Sequence, residues 1–225
     1  MGKAPIAVAL DGPDLGTIRG WIDAVSPHVS TLKVGLETYL RDGAAAVDAA
    51  KASGCQLFLD LKLHDIPNTV GGAARSIAHF APTYLTVHAL GGADMIAAAS
   101  KELPNTRITA VTILTSMDEV ALHSIGINDS ALDAAVRLAK LAVTAGARAI
   151  VCSPHEVAAI RAVVPTDIHL ITPGVRPAGS DAGDQKRIAT PEQAIADGAD
   201  IVVIGRPITG AADPGAAAAA IGATL

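Results

Sequence analysis

The chain has 225 residues, half of them hydrophobic, enough to bury a substantial core within one domain of α/β-barrel size. Two Phe, two Tyr and one Trp leave the packing to Ala, Val, Leu and Ile and give no aromatic surface on which bases could stack. A net charge of −5 offers no attraction toward nucleic acid or an anionic membrane, although a local cationic cluster could still hold a small anion.

Taken in order, residues 6–10 read as a short apolar strand ending at Asp11, and 15–25 carry apolar residues at helical spacing. The amino terminus lacks the charged region followed by an apolar core that marks a secretory signal, and no apolar run is long enough to span a membrane. A second strand over 31–34 carries Lys33, and 37–53 reads as a helix closed by Gly54. A third strand over 55–63 precedes a helix over 70–80. Next come a strand over 84–88, a helix over 93–103, a strand over 107–114, a polar loop over 115–129 and a helix over 131–145. A sixth strand over 147–152 leads to a helix over 154–164, with Ser153 as its N-cap and Pro154 in its first turn. The seventh strand, 168–172, runs into a long Gly-rich polar loop over 173–187 and a helix over 191–197. The eighth strand, 200–204, ends in Gly205-Arg206-Pro207, and a last helix covers 214–221.

Eight strand–helix alternations in one undivided domain, 1–225, predict a (β/α)8 TIM barrel. A doubly wound open sheet has the same periodicity and stays open as an alternative. The barrel is favoured because Asp11, Lys33, Asp60, Lys62, His88, Ser116 and Arg206 recur at strand ends, which a barrel gathers into one rim. Cys55 and Cys152 fall in predicted strands and form neither a metal-ligand cluster nor a disulfide framework, so a cytoplasmic, reducing location is expected.

The densest chemistry lies in 57–69. Leu57, Leu59, Leu61 and Leu63 alternate with Phe58, Asp60 and Lys62, so one strand face is apolar and the other bears opposite charges. With both faces covered by neighbouring strands and helices, Asp60 and Lys62 would point into an interior about 7 Å apart along the strand. Asp65 follows where the strand gives way to a loop, and Pro67, Asn68 and Thr69 look like a helix entry. Charges held in this way must pair, as a structural ion pair or as a catalytic group. Flanking carboxylates suit Lys62 to be a cationic acid rather than the neutral amine of a Schiff-base lysine.

The run Asp60-x-Lys62-x-x-Asp65-Ile66-Pro67-Asn68-Thr69 resembles the signature of the orotidine 5′-phosphate decarboxylase family. Its Asp-x-Lys-x-x-Asp core is shared with 3-keto-gulonate 6-phosphate decarboxylase and hexulose phosphate synthase, and the Ile-Pro-Asn-Thr continuation separates them. Other landmarks follow in order: Asp11, Leu32-Lys33-Val34-Gly35, Thr86-Val87-His88-Ala89, Leu114-Thr115-Ser116, Pro173-Gly174-Val175-Arg176-Pro177, Gln185 and Ile204-Gly205-Arg206.

The resemblance implies decarboxylation of orotidine 5′-monophosphate to uridine 5′-monophosphate without metal or organic cofactor, the last step of de novo pyrimidine synthesis. It gives Lys62 the protonation of C6 as CO2 departs and sets Asp60 against the substrate carboxylate. Asp11 and Lys33 fall on the ribose and in an Asp-Lys-Asp-Lys charge chain. Asp65 and Thr69 enter from the second subunit of a homodimer with shared sites, and Ile66 and Pro173 contact the substrate. Ser116 would read the pyrimidine amide edge, while Gln185 touches phosphate and base.

Arg206 would take the phosphate, which in such barrels commonly sits near the loops after strands seven and eight. Arg176 and Arg187 are expected to be loop scaffolding, and His64 and His88 hydrogen-bonded architecture. Two rivals remain: a magnesium-dependent sugar-phosphate decarboxylase or aldolase of the same superfamily, and a barrel that binds nucleotides without turnover.

Overall fold

The computed structural model describes residues 2–176 and 189–225. Eight parallel strands close in sequence order, each paired with the next and β8 with β1. They are β1 (Ala4–Ala9), β2 (Val29–Gly35), β3 (Gln56–Leu63), β4 (Tyr84–His88), β5 (Arg107–Val111), β6 (Ala149–Val151), β7 (His169–Thr172) and β8 (Ile201–Ile204). Helices follow them on the outside: α1 (Leu15–Val25), α2 (Leu36–Asp42), α3 (Ala44–Ala52), α4 (Pro67–Ser76), α5 (Ala93–Glu102), α6 (Glu119–Ser124), α7 (Ala131–Thr144), α8 (Val157–Arg161), α9 (Pro191–Ala196), α10 (Arg206–Thr209) and α11 (Pro214–Gly222). The closed order decides for the barrel and against the open sheet.

The strands divide the apolar residues between two cores. Outward positions such as Leu57, Leu59, Leu85 and Ile150 join the helix faces in the larger cluster, whereas Phe58, Tyr84, Ala7, Ala149, Ile171 and Ile201 fill the barrel interior. Phe58 and Tyr84 meet edge to face, 5.6 Å between centroids, and the Tyr84 hydroxyl is hydrogen-bonded to His169 Nδ1 at 2.9 Å. These two rings plug an interior otherwise lined by small aliphatic side chains, and the charged residues of β3 stand above the plug.

Several element boundaries differ from the sequence expectation for identifiable reasons. The helix expected over 37–53 is split into α2 and α3 at Gly43, whose φ of 56° is left-handed and interrupts helical geometry. The helix after β3 begins at Pro67, because proline needs no amide partner at the first turn, and after α4 it passes into a 3-10 turn over Ala78–Phe80. β5 stops at Val111, and the polar loop after it contains α6, whose first turn is capped by Asp118 accepting from Ala121 N. Ser153 caps as expected, in a reciprocal box with Glu156, but its first turn is a 3-10 turn that precedes α8.

Leu85 is fully buried between β4 and the helical layer. Leu85→Ala is expected to destabilise the fold by about 2–5 kcal/mol, the usual range for a buried leucine whose cavity cannot fully collapse. Chemical denaturation should show a lower midpoint with an unchanged denaturant slope.

Candidate active site

A cavity of about 550 Å³ opens at the carboxyl ends of the strands. Its floor includes Phe58 and its wall Asp11, Lys33, Asp60 and Lys62 from the first three strands and the turn after β1. Alternation along β3 turns Phe58 and Asp60 inward, Lys62 also lines the cavity, and parallel pairing sets Lys33 beside Phe58 and Gly35 beside Asp60.

The four charged groups form a chain. Lys33 Nζ lies 3.8 Å from Asp11 Oδ2 and 3.2 Å from Asp60 Oδ2, and Lys62 Nζ donates to Asp60 Oδ1 at 2.8 Å. Thr86 Oγ1 donates to the same Asp60 oxygen at 3.1 Å. Burial by itself would raise the Asp60 carboxyl, but the ammonium groups of Lys33 and Lys62 outweigh it and hold the carboxyl below its ordinary value. Asp60 is therefore a buried anion in the wall of the open cavity.

Gly35 makes room for the chain: an added Cβ would stand 2.8 Å from Asp11 Oδ1 and 2.9 Å from Lys33 Nζ. Farther round the rim, Pro173 follows β7, while Gly205 and Arg206 follow β8, the other neighbour of β1. Arg206 is an exposed cation at the start of α10, well placed to meet an anionic group entering from solvent.

The expected residues do not all line this cavity. Asp65, Ile66 and Thr69 are exposed beyond the strand end and absent from its wall. Asp65 accepts from Ile66 N at 2.6 Å and makes no ion pair among the described residues. Ser116 is exposed, and its neighbour Thr115 stands on the wall instead. Gln185 and Arg187 lie outside the described residues. Arg176, read from sequence as scaffolding, lines the cavity. His88 stacks on His64 with centroids 5.4 Å apart, and its buried Nδ1 has no hydrogen-bond partner among the described residues. Burial, then His64 and Lys62, hold His88 below the usual histidine value, which fits a neutral ring packed beside the site.

Thr86 and Thr115 had no role from sequence, and Arg176 only that of scaffolding. Thr86 carried a partial signal, since alternation along the strand over 84–88 sets it on the same face as Tyr84 and His88. Thr115 and Arg176 sit in turns, where no alternation tells which side chain turns inward.

Comparison with known proteins agrees with this geometry. The model of the Orotidine 5'-phosphate decarboxylase / HUMPS family matches residues 4–221. Orotidine 5'-phosphate decarboxylase of Thermobifida fusca is 66% identical over 223 residues, 99% of this chain and 96% of the relative. The protein of the same name from Frankia casuarinae is 52% identical over 242 residues, covering 100% and 88%. The crystal structure of orotidine 5'-phosphate decarboxylase from Lactobacillus acidophilus superposes with a TM-score of 0.85 at 35% identity, covering 99% of both chains. With the match running from the first strand to the last helix, the chain belongs to the Orotidine 5'-phosphate decarboxylase / HUMPS family.

Proposed function

We propose that this barrel decarboxylates orotidine 5′-monophosphate to uridine 5′-monophosphate, the closing step of de novo pyrimidine synthesis, as a homodimer that needs no cofactor. The observation that carries the reading is the Lys33–Asp60–Lys62 arrangement at the base of a cavity whose rim holds Arg206. A carboxylate between two ammonium groups supplies both the repulsion and the proton that a decarboxylation needs. Between Asp11 and Asp60, where a metal-dependent relative would require a cation, stands the Lys33 ammonium. The buried Cys55 and Cys152 suit a cytoplasmic, reducing setting.

In this reading the phosphate docks at Gly205 and Arg206 and the ribose at Asp11 and Lys33, which carries the pyrimidine toward β3. The substrate carboxylate then approaches Asp60, and departure of CO2 relieves that contact. As the bond from C6 to the carboxylate carbon breaks, its electron pair stays on C6. The Lys62 ammonium delivers a proton there and becomes a neutral amine. Thr115 stands on the wall at the pyrimidine edge, with Ser116 beside it at the mouth of the cavity, and Pro173 and Gln185 complete the contacts near the phosphate and base. Asp65, Ile66 and Thr69 reach the cavity of the second subunit, which accounts for a carboxylate, a large aliphatic and a hydroxyl all exposed beside a catalytic strand. Leu36 and Leu90 are exposed after the neighbouring strands β2 and β4, extending an apolar rim suited to a second copy.

The direct test is ultraviolet loss of orotidine 5′-monophosphate by the purified chain with a chelator present. Undiminished turnover is expected, whereas activity lost to the chelator and restored by magnesium would favour the sugar-phosphate rival, and a protein that binds the nucleotide without turnover would favour the silent barrel.

Loss of one partner of a desolvated charge pair costs about 2–5 kcal/mol, so Arg206→Ala should lower kcat/KM on the nucleotide by roughly 30-fold to several thousand-fold. Phosphate-free orotidine should be affected far less. Equal losses on both substrates would make Arg206 a structural residue.

Shared sites predict complementation between two inactive chains. Lys62→Ala and Asp65→Ala, unfolded together and refolded in equal amounts, should pair at random to give about half heterodimers. Each heterodimer holds one site with both lesions and one with neither, so about a quarter of all sites should regain activity. A mixture shown to exchange subunits yet remaining inactive would place both residues in one chain's own site.

A further inference from the structure

The pairing of β3 with β4 is irregular at the point where the chemistry sits. Phe58 and Leu59 pair with Tyr84 and Leu85, but the next pair is Leu63 with Val87, so β3 advances four residues while β4 advances two. The surplus contains Asp60 and Lys62. Lys62 has a φ of 49°, one of two non-glycine residues with positive φ among the described residues. A long side chain adopts the left-handed region only where its surroundings impose it, and bulges beside active sites commonly re-aim a side chain.

The side chain of Thr86 stands in the gap this leaves in the ladder. Its Oγ1 accepts from Lys62 N at 2.8 Å, replacing the backbone carbonyl that a regular strand would have offered, and donates to Asp60 Oδ1 at 3.1 Å. Asp60 Oδ1 in turn accepts from Lys62 Nζ at 2.8 Å. A single fully buried hydroxyl thus closes a loop through the backbone of Lys62, the carboxylate of Asp60 and the ammonium of Lys62.

We propose that Thr86 is the positioning residue of this active site: its hydroxyl holds the β3 bulge and so fixes where the Lys62 ammonium and the Asp60 carboxylate point. It touches no reacting atom and acts through both groups. The polarity of the hydrogen bonds makes the role specific to a hydroxyl, because one atom must accept from an amide and donate to a carboxylate. Valine has the shape of threonine and can do neither, whereas serine can do both and lacks only the methyl group.

The kinetic consequence rests on the decarboxylase reading, and the structural consequence does not. Thr86→Val is expected to reduce kcat on orotidine 5′-monophosphate by about 10- to 100-fold, the scale of a displacement near 1 Å in a reacting group. KM should stay within about twofold, because the proposed phosphate and ribose grips are elsewhere. Thr86→Ser should recover most of the lost kcat. Crystals of the substrate-free Thr86→Val protein should show residue 62 out of the left-handed region or its ammonium moved off Asp60, and crystals of Thr86→Ser should show both restored.

A Thr86→Val protein with wild-type turnover, or with Lys62 unmoved in its crystals, overturns the proposal. So does a reversed pattern in which valine sustains activity and serine does not, since that would make Thr86 a packing residue. A wild-type chain inactive on orotidine 5′-monophosphate would instead remove the decarboxylase reading, and the crystals would still decide the role of Thr86.

Discussion

The structure depends most on the Asp60 carboxylate, buried between the ammonium groups of Lys33 and Lys62. A carboxylate withdrawn from water and left alone would take up a proton, and an unpaired ammonium in the same place would lose one. Here each charge is stabilised by the next, and the series ends outward at Asp11, whose side chain is 42% exposed against 12% for Asp60. The Lys62 side chain at the other end is 33% exposed, so both ends of the chain reach solvent and the two buried charges, Lys33 and Asp60, each have a partner on either side. Because the Asp60 value is depressed on folding, its contribution to stability is fully present above the ordinary carboxylate range and disappears as pH falls through the depressed value.

Such a chain needs a rigid container, and the interior of this barrel provides one from aliphatic residues and two aromatic rings. Its strands place Ala7, Ala149, Ile171 and Ile201 inward, and the paired rings of Phe58 and Tyr84 supply the bulk that closes the floor. Phe58 precedes Asp60 by two residues on the same face of β3, so packing of the floor and aiming of the carboxylate are consequences of one alternation. Gly35 shows the same coupling on β2, where the lack of a side chain leaves space for the Lys33–Asp11 contact.

The repeating parts of this design were legible in the sequence. Strand–helix alternation indicated the barrel, and period-two alternation over 57–63 set Asp60 and Lys62 on the inner face. What escaped were the departures from repetition. Gly43 breaks a helix that the apolar pattern would have continued, and the extra residues in β3 depend on a partner strand that the local pattern does not show. Thr86 gains its part from that irregularity, because only an interrupted ladder leaves an amide for its hydroxyl to receive. In the turns after β5 and β7, a one-residue choice decides which side chain lines the cavity. Thr115 rather than Ser116, and Arg176 as more than a scaffold, became visible only with the backbone in place.

In the proposed shared-site dimer, the stretch from Asp60 to Thr69 would address two cavities. Inside β3 the alternation commits Asp60, and the bulge commits Lys62, to the barrel of their own chain. Beyond Leu63 the strand ends, Asp65 bonds to the next backbone amide, and Pro67 starts α4, which directs Asp65, Ile66 and Thr69 to solvent. In the shared-site reading those exposed groups belong to the neighbour's substrate, with fewer than ten residues separating the proton donor of one site from the groups that complete the other. A twofold axis beside α4 would repeat this exchange in both directions. Assembly and site completion would then be one event: a monomer could fold its barrel and align its charge chain, yet it would present a cavity lacking the second carboxylate.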